Sequence, residues 1–457
     1  MGRKKNIVLE HVSITGTAAK GKDLAKHEDG RVIFIKEGVP GDVVDLRVFK
    51  KRKNYFEAEI IKLHKGAPNR ITPVCSHFGV CGGCKWQHMT YKLQLEQKQQ
   101  EVVDNLERIA KVNVEQYLPI KGAEETFFYR NKMEYSFSDS RWLTQDEINS
   151  EETFNRNALG FHVPGKWDKI VQIDKCHLQE DIANNIRNFC KQEGERQQLN
   201  FFNPRNQSGH LRTLMIRNSS KGELMVLVQF FKASQDEINT YMQAIAAEFP
   251  QIKSLLYTVN SKANDTIYDQ EISCFKGEAF IFEEMEGLEF RIDAKSFYQT
   301  NSKQAYELYK IIRSFAELKG DEVVYDLYTG TGTIALFLAA QAKEVVGVES
   351  VPQAILNAQW NAKHNEVTNV SFETGDMKKV FNDNFIARHG AAEVVITDPP
   401  RDGMHSDVVH QLIKLSAPKV VYVSCNSATQ ARDLALLDPY YKVIKSQAVD
   451  MFPQTHH

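Results

Sequence analysis

A cysteine at the end of an apolar run is a candidate nucleophile when an acid and a cofactor loop stand at neighbouring run ends. Cys425 lies in Lys419-Val-Val-Tyr-Val-Ser-Cys-Asn426, which reads as a buried strand with the thiol at its tip. Asp398-Pro-Pro-Arg401 follows a similar run, Glu393-Val-Val-Ile-Thr397, and the glycine loop Asp326-Leu-Tyr-Thr-Gly-Thr-Gly332 lies further upstream. Ligands of an open parallel sheet bind beyond the carboxyl ends of its strands. Nucleophile, acid and loop then face one crevice.

The loop Gly330-Thr-Gly-Thr-Ile-Ala335 fits G-x-G-x-x-A, and Glu349 closes the next strand, where a carboxylate can hold ribose hydroxyls. The pattern serves NAD and S-adenosylmethionine alike, and an incidental strand-turn-helix also produces it. Asp326, in D-x-x-x-G-x-G spacing, and the acid-Pro-Pro motif at Asp398 both favour S-adenosylmethionine. A thiolate has a definite task beside a methyl donor. Uracil C5 is a poor nucleophile; thiolate addition to C6 makes it enolate-like. A base must then remove the C5 proton so that the thiol can leave. The competing reading of Cys425 is an inert buried thiol. In Ser296-Phe-Tyr-Gln-Thr-Asn301, Phe297 can stack on a flipped base and Gln299 can bond a base edge or the cofactor. A core aromatic beside a helix cap is the alternative there.

A second constellation is Cys75-x5-Cys81-x2-Cys84, in a loop with Gly79, Gly82 and Gly83. Three thiols this close indicate a metal, and the fourth ligand must be distant. Cys176, in Asp174-Lys-Cys-His-Leu178, is the best candidate, whereas Cys190 reads as helical and packing. Four cysteines suit zinc or a [4Fe–4S] cluster. The spacing is not a common zinc pairing, which favours iron–sulfur. The seven cysteines are an odd number, which argues against a disulfide framework.

The elements that must position these residues follow from pattern. The chain has 457 residues, 42% of them hydrophobic, enough for two to four domains. Residues 1–65 look all-β, with near-alternating runs Val43–Phe49 and Tyr55–Ile61 joined through Lys50-Lys-Arg-Lys53. That is the pattern of a small OB-like barrel with a basic hairpin tip suited to a phosphate backbone. These residues carry 15 Lys/Arg against 9 Asp/Glu, a net of +6 within a chain whose net charge is −2, so a polyanion partner is expected. A solvated charged face is the alternative. Residues 66–294 read as an α+β central domain holding the cysteine loop, and helix 92–110 is able to pack on the domain that follows. Residues 295–457 alternate helix and strand, which implies a doubly wound, Rossmann-like α/β sheet. No run of about 18 apolar residues occurs, and no apolar segment follows Met1-Gly-Arg-Lys-Lys5. A cytoplasmic monomer with no membrane partner is expected.

Together these residues resemble the RNA uridine-5-methyltransferases of the 23S ribosomal RNA type, over essentially the whole chain. The family's TRAM domain is similar to residues 1–65, including Gly38-Val-Pro-Gly41. Its C-x5-C-G-G-C and distant cysteine look like Cys75, Cys81, Cys84 and Cys176, which implies a [4Fe–4S] cluster. Its F-x-Q-x-N looks like Phe297, Gln299 and Asn301, its D-L-[FY]-x-G-x-G like Asp326 to Gly332, and its D-P-[PA]-R and S-C-N like Asp398 to Arg401 and Ser424 to Asn426. The resemblance implies a class I methyltransferase domain in which Cys425 is the nucleophile and Asp398 and Gln299 orient the base. It places Tyr328 and Glu349 on S-adenosylmethionine, with Asp376 near the adenine. It leads to the expectation of uridine C5 methylation in 23S ribosomal RNA. The alternatives are methylation of the T-loop uridine of transfer RNA, or an RNA-binding iron–sulfur module without turnover. The family motif F-P-x-T-x-H-x-E ends in the glutamate that takes the C5 proton; here it reads Phe452-Pro-Gln-Thr-His-His457, and the glutamate falls two positions further on. A clipped sequence that also lacks the last strand of the sheet is the expectation.

Overall fold

The computed structural model describes residues 7–457; the basic segment at Met1–Lys5 lies outside them. The first region is a six-stranded sheet in the order Ile7–Ser13, Val43–Lys51, Tyr55–Lys65, Val32–Lys36, Lys22–Lys26, Gly16–Ala18. Alternate residues of these strands, among them Ile33, Ile35, Val44, Leu46, Phe56 and Ala58, fill one interior. That is the consequence of a period-two pattern closing on itself. The turn Gly38-Val-Pro-Gly41 needs its last glycine, whose φ is +101°. The next residue, Asp42, is buried and accepts from the amides of Val39 and Ala67 at 2.8 Å each and from Arg70 at 2.5 Å. These bonds hold the Asp42 carboxyl below its usual range despite burial. They also fasten the barrel to the segment that follows.

The central region carries a seven-stranded sheet from Lys132–Ser138 to Ser273–Gly277, antiparallel except where Leu224–Phe230 and Ile252–Val259 run parallel. Helices Asp181–Arg196 and Gln235–Glu248 cover one face and bury Ile186, Cys190, Tyr241 and Ile245 against it. Cys190 packs, as its helical setting predicts.

The last region is a five-stranded parallel sheet in the order Val370–Thr374, Glu344–Glu349, Val323–Leu327, Val394–Thr397, Lys419–Tyr422. Strand order reverses at Val323–Leu327, so the crevice for a ligand opens beyond its carboxyl end. The strand Val443–Val449 leaves this sheet and pairs in parallel with Val114–Lys121, from more than 300 residues earlier. The helix expected over 92–110 is an α-helix only over Tyr91–Asn105. A π turn, Leu106–Ala110, ends it at Lys111, whose φ is +56°. Asn105 Nδ2 donates to Ser427 Oγ at 2.8 Å, and Lys98 Nζ lies 2.5 Å from Asp450 Oδ1, both ends of that pair buried. Residues 91–121 therefore lie against the C-terminal region.

Candidate active site and cysteine cavity

Register at one sheet edge places the chemistry. Thr397 is level with both Leu327 and Tyr422, and Val423 N donates to Thr397 O at 2.8 Å. Asp398, the glycine loop and the loop bearing Cys425 therefore leave the sheet side by side. Cys425 is not at a buried strand tip, as the apolar run predicts. The strand stops at Tyr422 and the cysteine is exposed on the loop that follows. Ser424 Oγ folds back onto Asn426, accepting from its amide at 3.0 Å, which turns the chain out of the sheet. Asn426 caps helix Ser427–Leu437 through the amide of Ala428 at 3.1 Å, and its Nδ2 donates to Arg401 O at 3.0 Å. One side chain thus fixes the cysteine loop to the Asp398–Arg401 loop.

A cleft of about 2380 Å³ runs past these loops. Cys425, Asp398, Gln299, Phe297, Tyr328 and Glu349 all line it. Asp376 is not among the lining residues; its carboxylate caps the short helix Met377–Val380, accepting from Lys378 N at 3.3 Å. Phe297 is 70% exposed, so it is no core aromatic. Asn301 is the helix cap of that motif, accepting from Gln304 N at 3.2 Å. The amide of Gly330 donates to Glu349 Oε2 at 3.2 Å, and Ser350 and Val351 amides hold Oε1 at 2.7 and 2.9 Å. Gly332 has φ +79° and a Cβ there would come 3.0 Å from Ala358 Cβ, so the loop closes tightly on the next helix.

Two acids of this edge are desolvated. Burial pushes Asp398 up to about 6. Burial drives Asp326 to about 7, against a 2.5 Å bond from Thr329 Oγ1 that lowers it, and its second oxygen, Oδ1, has no partner. Burial likewise raises Tyr328 to about 12.

Cys75, Cys81, Cys84 and Cys176 line a separate cavity of about 420 Å³. Burial pushes the Cys81 thiol up to about 11 and Cys84 to about 12, and the neighbouring thiols push the same way. The Gly83 amide donates to Cys81 Sγ at 3.4 Å. Among the described residues, the group of three metal-ligand atoms lying within 4.8 Å of one another is His11, Asp45 and His64 on the barrel, not the cysteines. Gly83, Arg130, Thr300 and Thr455 line both cavities, so the cysteine loop forms one wall of the cleft. That wall is stitched to the C-terminal segment: Lys85 and Trp86 amides donate to Gln454 O at 2.9 and 3.0 Å, and Tyr129 OH donates to Pro453 O at 2.8 Å. Motif reading missed Lys98 and Arg130, because their place in the cleft arises from contacts more than 300 residues apart, Lys98 Nζ with Phe452 O at 3.2 Å and the Arg130 guanidinium over the Phe452 ring.

The tRNA (uracil-5-)-methyltransferase family matches residues 280–457, and the TRAM domain matches residues 10–61. A Bacteroides thetaiotaomicron protein described as an uncharacterized RNA methyltransferase is 53% identical over 444 residues, 96% of this chain and 98% of the relative. One of the same description from Porphyromonas gingivalis is 50% identical over 98% of this chain and 97% of its own length. Among solved structures, the Pyrococcus abyssi tRNA (uracil-54, C5)-methyltransferase in complex with S-adenosyl-L-homocysteine has a TM-score of 0.75 at 27% identity, covering 98% of this chain and 97% of that one. No helix among the described residues is long and apolar enough to cross a membrane. The chain belongs to the TRAM-containing RNA (uracil-5-)-methyltransferase family, whose methyl donor is S-adenosylmethionine.

Proposed function

We propose that the protein methylates C5 of a uridine in 23S ribosomal RNA through a covalent bond between Cys425 and uracil C6. The observation that carries the chemistry is the joint exposure of Cys425 and Phe297 in one cleft with the desolvated Asp398. S-adenosylmethionine supplies the electrophilic methyl when bound; Glu349 and Tyr328 are the side chains proposed to hold it. The Cys425 thiolate adds to C6 and the C5–C6 π pair shifts toward O4, so that C5 becomes the nucleophilic atom. Asp398 and Gln299 orient the uracil edge, and Phe297 stacks on its face. After methylation the C5 proton leaves to a base, the pair re-forms the double bond, and the thiolate departs.

The ribosomal target rests on family resemblance. A second reading, transfer RNA, is favoured by the Pyrococcus enzyme, which shares this architecture over nearly its full length and acts on tRNA uracil-54 by its name. Possession of the barrel therefore does not separate the two. Mapping 5-methyluridine in both RNA classes from a deletion strain decides: loss from 23S RNA alone supports the proposal, and loss from transfer RNA alone replaces it. Target RNA with 5-fluorouridine should trap wild type covalently, because fluorine does not leave as a cation. Cys425→Ala should form neither adduct nor product, and methylation by that variant would sink the mechanism.

For the cysteine cavity we propose a [4Fe–4S] cluster held by Cys75, Cys81, Cys84 and Cys176. A tetrahedral zinc with Zn–S of about 2.3 Å needs its sulfurs about 3.8 Å apart. No three of these sulfurs lie within 4.8 Å of one another, so they do not form a zinc tetrahedron as they stand. Thiols pushed to about 11 and 12 also call for a strong positive centre to become ligands. The cluster's role is to brace the cleft wall.

A further inference from the structure

Among the described residues, Tyr268 is the most exposed of the large apolar or aromatic side chains, at 74%, and it lines the cleft that holds Cys425 and Phe297. A tyrosine left in water forgoes the burial its ring would gain, so its position needs a reason. Looseness is not the reason. Tyr268 sits in the loop of residues 260–272, between strands Ile252–Val259 and Ser273–Gly277, and that loop is pinned from beneath. The buried Arg212 donates to the carbonyls of Asn260, Lys262 and Ala263 at 2.9, 2.7 and 3.1 Å. Asn260 Nδ2 donates to Thr266 O at 3.1 Å, and Gln229 Nε2 to Asp265 O at 3.1 Å. On the far side, Lys295 Nζ donates to Gln270 O at 2.5 Å. Lys295 is two residues before Phe297, so one bond ties the Tyr268 loop to the segment bearing the other exposed aromatic of the cleft.

We propose that Tyr268 forms a second base-stacking subsite, taking an unpaired nucleobase next to the flipped uridine. This rests on the RNA reading above and extends it: the substrate is engaged as splayed single strand over more than the target nucleotide. Two outward aromatics along a groove suit successive unpaired bases, since every base has a π face and stacking tolerates sequence. Lys295, Arg291 and Lys85 line the same cleft and add positive charge to it, with Arg291 paired to Asp293 at 2.9 Å.

The test uses full-length protein purified without oxygen. Binding of single-stranded oligouridylate, S-adenosylmethionine affinity and methylation of RNA from a deletion strain are measured for wild type, Tyr268→Ala and Tyr268→Phe. Tyr268→Ala should weaken oligouridylate binding and raise the RNA KM about 5- to 100-fold, with cofactor affinity unchanged. Tyr268→Phe should stay within about twofold of wild type, because stacking needs the ring and not the hydroxyl. Unchanged oligouridylate binding by Tyr268→Ala overturns the subsite. An equal loss of cofactor affinity also overturns it, placing the ring on the methyl donor. Wild type that binds oligouridylate through Tyr268 but yields no 5-methyluridine leaves the subsite standing and removes the proposed reaction.

Discussion

The cysteine cavity and the sheet-edge cleft use the same side chain in opposite settings. Cys84 is enclosed and pushed up to about 12 by burial, while Cys425 stands exposed on a loop after a parallel strand. A metal ligand can be buried because the metal compensates the thiolate charge. A nucleophile must meet a substrate that arrives from outside. Cys190 is a third case, fully buried, raised to about 12 by desolvation and facing neither cavity. Environment, not residue type, separates the three, and the roles proposed for them rest on that difference.

The sharpest way to break that comparison is to replace one cysteine of each kind by serine. Wild type should carry about four irons per chain and Cys176→Ser should lose nearly all of that iron, read by metal analysis of protein purified without oxygen. Stoichiometric zinc in wild type would reject the cluster. Cys190→Ser should keep its iron and lose about 1–3 kcal/mol of stability, the cost of burying a hydroxyl where a thiol packed. Cys425→Ser should keep both iron and stability while losing product.

The next effect tests the wall between the two regions. Lys98 bonds Asp450 at 2.5 Å and the carbonyls of Phe452 and His457 at 3.2 and 2.7 Å, so Lys98→Met leaves a buried carboxylate without its counter-charge, held only by the Tyr91 hydroxyl at 2.8 Å and the Phe452 amide at 3.2 Å. Stability should fall by about 3–5 kcal/mol in denaturant unfolding, and Lys98→Met with Asp450→Leu should recover part of it. No recovery would mean that the pair is not what joins residues 91–121 to the C-terminal segment.

A smaller effect sharpens the electrostatics of the cleft. The folded protein keeps the Asp326 proton up to about pH 7, whereas an ordinary aspartate loses it near pH 3.8. This carboxyl's contribution to stability is therefore full below about pH 4 and lost as pH rises through about 7. Asp398, at about 6, shares the window. Asp326→Asn should be more stable than wild type at pH 8 by about 1–4 kcal/mol, with the gap closing toward pH 4, in unfolding curves at several pH values. A gap that widens on acidification would contradict the assignment.

The smallest effect lies on the barrel. Lys51, Arg52 and Lys53 follow the edge of the hairpin, and changing all three to Gln should cut RNA affinity about tenfold at low salt. The slope of log affinity against log salt should become shallower by about 2, while cofactor affinity holds. An unchanged slope would show that RNA does not cross this tip.

Much of this was legible without coordinates, because the signals are local. Alternation set the barrel strands, apolar runs between turns set the parallel strands, and the spacing of Asp326, Gly330 and Gly332 set the cofactor loop. The motif Phe297–Asn301 was legible only as two readings, and the structure divided it: Asn301 caps a helix and Phe297 faces the cleft. The exposure of Cys425 was not legible, since the run leading to it is as apolar as any core strand. A turn made by Ser424 and Asn426 takes it out of the sheet.

Sequence by itself determined which residues can do chemistry here, because thiols, carboxylates and glycine turns act through their own spacing. Tertiary structure decided which distant segments enclose them. It laid residues 91–121 against a strand more than 300 positions later, made the cysteine loop a wall of the cleft, and left Asp376 as a cap outside it. Those contacts join segments whose local patterns carry no trace of one another; the free energy that joins them comes from burying surface and pairing charges across the fold, not from any run of neighbouring residues.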